Sequence, residues 1–280
     1  MPTNNALYIV ATPIGNLSDI TLRAIDTLKY VDFIAAEDTR HSAKLMQHFA
    51  VKTPMLTYHD HGGVQQSARL LELLRQGKNI ALISDAGTPL ISDPGYRLVK
   101  QCREAGIKVV PIPGASALVT AISAAGLASD RFSFEGFPPA KSLARENYFS
   151  ELVQDTRTLI FYESPHRLWD SLQAMQGAFG AQRYAVLARE LTKQYETFLS
   201  GSLSELLAQL QADNNQKRGE MVIMVEGYTA PDDPSGISKE ASEVLQILLE
   251  ELSVKQASAL AAKITGEKKN KLYRWALSQT

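Results

Sequence analysis

Short apolar runs alternate with amphipathic stretches from residue 7 to residue 227. Runs at 7–11, 32–36, 79–84, 108–112, 132–135, 158–162, 184–188, 197–199 and 221–225 are rich in aliphatic and aromatic residues and predict nine strands. Several are apolar without a break, such as Ile80-Ala81-Leu82-Ile83 and Val222-Ile223-Met224-Val225, a pattern that fits strands covered by helices on both faces. Between them apolar positions recur at helical spacing. Over 20–30 these are Ile20, Leu22, Ile25 and Leu28, with Asp19 ahead of them as the expected N-cap. Strands alternating with helices predict an α/β chain with mostly parallel sheets.

Two seams interrupt this alternation. One falls at 126–131, and the other, Tyr228-Thr-Ala-Pro-Asp-Asp-Pro-Ser-Gly236, reads as a linker. They predict an α/β domain over 1–127, a second α/β domain over 128–227, and a small helical domain over 237–280. The helical end is sorted by charge. Residues 231–252 hold six acids and one Lys, whereas residues 253–280 hold six Lys/Arg and one Glu. The whole chain of 280 residues has a net charge of -1, so a near-neutral total conceals a basic tail. Lys263, Lys268, Lys269, Lys271 and Arg274 fall within twelve residues of that tail, and a surface built only for solubility would intersperse its charges. On charge alone they read either as a solvated helical surface or as a phosphate-facing patch, the candidate RNA contacts if the partner is RNA.

Composition excludes several classes. The single cysteine, Cys102, excludes internal disulfides and cysteine-cluster zinc sites. The longest small-apolar stretch, 115–128, is too short to span a bilayer. The N-terminus lacks a basic start followed by an apolar core, so a cytoplasmic protein is expected. No G-x-G-x-x-G follows the first strand and no G-x-x-x-x-G-K-[ST] occurs, which argues against Rossmann dehydrogenases, the common Rossmann-type methyltransferases and P-loop NTPases. His59-Asp60-His61 falls short of a ligand set, and no metal is expected. Trp169 and Trp275 are expected to be packing residues.

In open α/β sheets, ligands bind beyond the carboxyl ends of the strands. The chemistry-bearing residues of this sequence gather there. The fourth-strand region runs into Asp85-Ala86-Gly87-Thr88-Pro89 and then Ser92-Asp93-Pro94-Gly95, more turn-forming and polar residues than a connection requires. Pro113-Gly114-Ala115-Ser116-Ala117 repeats the arrangement of strand end, tight turn and small residues. Two further strand ends, Glu37-Asp38-Thr39-Arg40-His41 and Glu163-Ser164-Pro165-His166-Arg167, each place a carboxylate, an Arg and a His within five residues. Such groups orient or deprotonate a hydroxyl, and Arg40 and Arg167 are candidates to hold phosphates.

Together, Pro13-Ile14-Gly15-Asn16-Leu17, Glu37-Asp38-Thr39-Arg40, Ser84-Asp85-Ala86-Gly87-Thr88-Pro89, Pro113-Gly114, Phe161-Tyr162-Glu163-Ser164-Pro165-His166-Arg167, Ala188-Arg189-Glu190-Leu191-Thr192-Lys193 and Gly219-Glu220-Met221 stand in an order and spacing that resembles the tetrapyrrole-methylase-like methyltransferases, specifically those acting on small-subunit ribosomal RNA. The resemblance implies two α/β domains with S-adenosylmethionine (SAM) held in the cleft between them, and a homodimer. It implies 2′-O-methylation of a cytidine in the decoding region of 16S rRNA. Carried over residue by residue, the cofactor loops are Pro13, Ile14, Asp85, Gly87, Thr88, Ser116, Ala117 and Tyr162, with Met221 and Val222 beside the adenine. Glu37, His41, Glu163, His166 and Lys193 are the catalytic candidates, and the sequence does not choose among them. A small-molecule methylase of this fold would need neither the basic tail nor the two Arg/His loops. A non-catalytic module would have lost some of the strand-end loops.

Overall fold

Residues 5–59, 63–230 and 237–279 are described by a computed structural model. The linker expected at 231–236, and Asp60 and His61, lie outside the described residues. Two compact units emerge, Met1–Tyr228 and Thr229–Thr280.

Within the larger unit, β1 (Ala6–Val10), β2 (Phe33–Ala36), β3 (Met55–Thr57), β4 (Ile80–Ile83) and β5 (Lys108–Ile112) form a wholly parallel sheet in the order β3-β2-β4-β1-β5. Side chains alternate across it, as a pleated strand requires. Tyr8 and Val10 pack with Ala24 and Leu28 of α1 (Leu22–Tyr30) and Met46 of α2 (Thr39–His48). Leu7 packs to the other side with Leu70 and Leu74 of α3 (Gly63–Arg75) and Leu98 of α4 (Tyr96–Glu104). Burial on both faces is why these strands read as unbroken apolar runs. Two local expectations are corrected. Thr21, not Asp19, caps α1 by accepting the Ala24 N–H, because the chain first makes a 3-10 turn over Leu17–Asp19. The short edge strand β3 was not predicted: three residues behind Pro54 carry too little periodicity to register.

The second sheet holds β6 (Phe132–Gly136), β7 (Thr158–Glu163), β8 (Tyr184–Arg189), β9 (Thr197–Ser202) and β10 (Met221–Val225), in the order β6-β7-β10-β8-β9. Here the parallel expectation holds only for β6 against β7; β10 runs antiparallel to β7 and β8, and β8 to β9. The connection from Arg189 to Thr197 is too short for a crossover, which leaves a hairpin. One face is covered by α6 (Ser142–Glu151), α7 (Leu168–Phe179) and α8 (Leu203–Ala212) around Phe149, Phe161 and Leu172. The opposite face receives α5 (Ala117–Ala124), whose Leu118, Ala121 and Ile122 pack on Ile160, Val186, Val222 and Met224 together with Ile14 from the first sheet's loop. This shared cluster joins the carboxyl edge of the first sheet to the second.

The smaller unit is three helices, α9 (Lys239–Glu251), α10 (Val254–Thr265) and α11 (Lys269–Gln279), around Ala241, Leu245, Ala257, Ala261, Leu272 and Ala276. Trp275 packs against that core, while Trp169 packs on the second sheet's core beneath the Lys217 ammonium. No described helix is long and apolar enough to cross a membrane.

Candidate active site

All strands of the first sheet end on one edge, and hydrogen bonds stitch their following loops together. Thr12 and Gly87 exchange backbone hydrogen bonds at 2.9 and 3.0 Å, and the Thr88 hydroxyl donates to the Ala115 carbonyl at 2.9 Å. Asp85 accepts the Asp38 N–H at 3.1 Å. Asp38 in turn caps α2 by accepting the Arg40 and His41 N–H groups, and the first of these bonds leads in holding its carboxyl below the usual range. Gly87 has φ +80°, a conformation that side chains rarely adopt, and a Cβ there would stand 3.3 Å from Ile14.

The second sheet supplies the facing wall, through its antiparallel register. Met221 pairs with Glu163 on one side and Arg189 on the other, so the start of β10 lies beside the ends of β7 and β8. The Glu190–Lys193 turn after β8 then docks against the first-sheet loop. A Cβ on Gly15 would lie 2.5 Å from Lys193 Cγ and 2.8 Å from Thr192 Oγ1. Glu190 and Thr192 occupy positive φ, at 51° and 66°, a cost of about 1–3 kcal/mol each that recurs at functional sites. The Gly219 position is set by the Glu190 side chain, which would collide with any Cβ there.

Between these walls is a cavity of about 400 Å³, within the range of small-ligand sites. The structure brings nine of the ten expected cofactor residues to its lining: Ile14, Asp85, Gly87, Thr88, Ser116, Ala117, Tyr162, Met221 and Val222, with Pro13 left outside. Ile91, Asp93, Phe137, Leu191 and Glu220 also line it, and sequence reasoning had not assigned them. Asp93 was visible in the Ser-Asp-Pro-Gly turn, but the turn itself did not reveal which way its carboxyl faces. The Tyr162 hydroxyl accepts the Leu118 N–H at 3.0 Å, and burial raises its pKa. A larger open depression along α6 and α7, lined by Arg145, Glu146 and Asp170, touches none of the strand-end loops.

The catalytic candidates divide in three dimensions. Glu163 lines the cavity but its side chain is fully buried and held by three donors: Ser164 N–H at 2.7 Å, Ser171 hydroxyl at 2.5 Å and the Arg167 guanidinium at 2.7 Å. Arg167 is occupied in turn, since it also donates to Ser164 Oγ and the Pro138 carbonyl. Lys193 lies outside the lining, between Glu190 at 2.9 Å and Glu220 at 3.0 Å. Burial acts to lower its pKa, but the two carboxylates prevail and raise it. Glu37 is half-buried beyond β2, while Arg40, His41 and His166 are exposed outside the lining. Lys263, Lys268, Lys269, Lys271 and Arg274 are all exposed on the smaller unit.

A carboxyl-edge cavity closed by a second, mixed sheet is the architecture this chain shares with the methylases. Residues 6–207 match the tetrapyrrole (corrin/porphyrin) methylases, and residues 235–280 match the RsmI C-terminal HTH domain. Solved structures with this fold include uroporphyrin-III C-methyltransferase from Thermus thermophilus (19% identity, TM-score 0.57, covering 79% of this chain and 94% of that one). Diphthine synthase gives 13% identity, a TM-score of 0.60, and coverage of 79% and 90%. Curated relatives are far more similar. Ribosomal RNA small subunit methyltransferase I of Haemophilus influenzae is 54% identical, over 97% of this chain and 96% of its own length. Its namesake in Escherichia coli O157:H7 is 55% identical, over 98% and 95%. The chain belongs to the tetrapyrrole methylase family, in the branch of ribosomal RNA small subunit methyltransferase I.

Proposed function

We propose that this protein methylates 16S rRNA with SAM as donor, at the 2′-oxygen of a cytidine in the decoding region, acting as a cytoplasmic homodimer. The observation that carries the donor is the charge of the cavity. Asp85 and Asp93 line it together with Glu163 and Glu220, which are paired with Arg167 and Lys193, and among its described lining residues there is no Lys or Arg. Such a site rejects phosphates and suits a ligand bearing a sulfonium and an ammonium. Ile14, Ile91, Leu191, Met221 and Val222 supply the apolar surface that an adenosine requires. When bound, SAM supplies a methyl group on positively charged sulfur, an electrophile that needs little activation.

The protein's own part is then to hold and orient. Gly87, Thr88, Ser116, Ala117 and Tyr162 form the cradle, and the Glu163–Arg167 pair fixes the turn that carries His166. Lys193, protonated between two carboxylates, clamps the β8–β9 turn and cannot take a proton at neutral pH. Glu37, Arg40, His41 and His166, on loops that follow the strands, are assigned to the nucleotide, and the basic residues of 237–280 to RNA phosphates. Relatives named for small-subunit rRNA support this substrate. Purified protein, tritiated SAM and small subunits from cells lacking this gene test the reading, with free porphyrin precursors in parallel. Label in rRNA alone is expected; label in the porphyrin alone would overturn it.

A further inference from the structure

We propose that Asp93 is the proton acceptor of the methyl transfer, the carboxylate that receives the proton of the attacking hydroxyl. This rests on the methyl-transfer reading above. Asp93 lines the same cavity as Gly87, Ser116 and Tyr162, and its loop is built at some cost to point there. Leu90 and Ser92 both take left-handed φ, 75° and 66°, without being glycine. Gly95 closes the turn at φ +134°, with room for no side chain: a Cβ would stand 2.8 Å from Leu82 and 3.1 Å from Leu90. Non-glycine residues persist in such conformations only where the surroundings over-determine them. Here the result is a half-buried carboxylate on the cavity lining, next to the exposed Ser92.

The groups facing Asp93 suit a base. The Ser84 hydroxyl is shared between Asp93 and the Ala86 carbonyl oxygen, 3.2 Å from it. Asp85 brings a like charge from the preceding turn, and Tyr162 faces it from β7. Burial pushes the Asp93 carboxyl up to about 6, outweighing the Ser84 hydrogen bond, with a smaller push from the Asp85 charge. It is therefore ionised at neutral pH yet basic enough to accept a proton. Of the other carboxylates of the lining, Glu163 has three donors and Glu220 pairs with Lys193, while Asp85, which accepts the Asp38 N–H, is exposed where Asp93 is half-buried. In the step itself the hydroxyl proton passes to an Asp93 carboxylate oxygen. The O–H pair becomes the new O–CH₃ bond, and the methyl group's former bonding pair stays on the donor sulfur.

The test uses the full chain with Asp93→Asn, which keeps shape and removes charge, and Asp93→Glu. Turnover on unmethylated small subunits is read across pH 5–9, and SAM affinity by calorimetry. Asn is expected to lower turnover by a factor of about 100 or more, to lower SAM affinity by no more than about tenfold through the lost charge, and to abolish the wild-type acid limb near pH 6. Glu, whose ordinary value is about 0.4 higher, is expected to keep activity and move that limb upward; this variant decides the matter if the Asn protein does not fold. Wild-type turnover and an unchanged limb in the Asn variant would overturn the proposal. So would a loss of SAM affinity in proportion to activity, which would make Asp93 a ligand of the donor's ammonium. Wild-type protein that binds SAM but labels no hydroxyl of any substrate would instead sink the methyl-transfer reading on which the proposal stands.

Discussion

Gly87 shows how one residue type serves the site for a reason the sequence only half reveals. The Asp-Ala-Gly-Thr-Pro run suggests that a side chain would occupy ligand space, whereas the structure places the difficulty in the backbone. At φ +80° a β-branched residue is strained whatever the room, and its Cβ would press on Ile14. Gly87→Val is therefore expected to weaken SAM binding at least 100-fold by calorimetry, equivalent to about 2.7 kcal/mol. Wild-type affinity in a folded variant would contradict this. Asp93 makes a second residue-scale prediction through stability. Its carboxyl is harder to ionise in the folded chain than in the unfolded one, where the ordinary value is 3.8. The folded state thus bears a cost fully present above pH 6, shrinking as pH falls through the folded value and gone below the unfolded one. Asp93→Asn should melt higher than wild type at pH 7.5, by the equivalent of about 1 kcal/mol after allowance for partial exposure, with the gap closing near pH 4. An equal gap at both pH values would disprove the assignment. Among the residues assigned to the nucleotide, His166→Ala is expected to cut turnover tenfold or more with SAM affinity unchanged; proportional loss of both would move His166 into the cofactor site.

The strand-end loops were legible as elements because they break a regular alternation. Asp85, Gly87, Thr88 and Ser116 could be picked out as polar and small residues where a strand must end. Direction within the second sheet was not legible, since Val222-Ile223-Met224-Val225 reads the same in parallel and antiparallel surroundings when both faces are buried. That hidden direction is what sets Met221 against Glu163 and Arg189, and so puts Glu220 and Leu191 in the cavity wall. Roles within the loops were equally hidden, because Glu163 and Lys193 reveal their partners only in three dimensions. The Glu190–Lys193 turn is the element whose fit can be tested most simply. Gly15→Ala places a methyl 2.5 Å from Lys193 Cγ and 3.1 Å from the Leu191 carbonyl, so the turn must retreat. SAM affinity should fall about tenfold while overall stability changes by about 1–2 kcal/mol. Unchanged affinity would show that the turn does not shape the cavity.

At the scale of the molecule, the larger unit carries the whole cavity, and the smaller unit carries sorted charge on a core of its own. Phosphate contacts supply affinity and orientation and weaken with salt as counterions are released. Removing residues 237–280 should leave SAM binding nearly intact and severely weaken small-subunit binding. Lys268→Glu, Lys269→Glu and Lys271→Glu together should flatten the salt dependence, by about 0.7–0.9 in the log–log slope for each phosphate no longer neutralised. An unchanged slope would leave the unit a packing element. The most direct measurement of the central claim is nucleoside mass spectrometry on small subunits from cells lacking this gene, after incubation with the protein and SAM. A single added 2′-O-methylcytidine in the 16S rRNA is predicted. Methylation on a base, or none in subunits while SAM is bound, would contradict it.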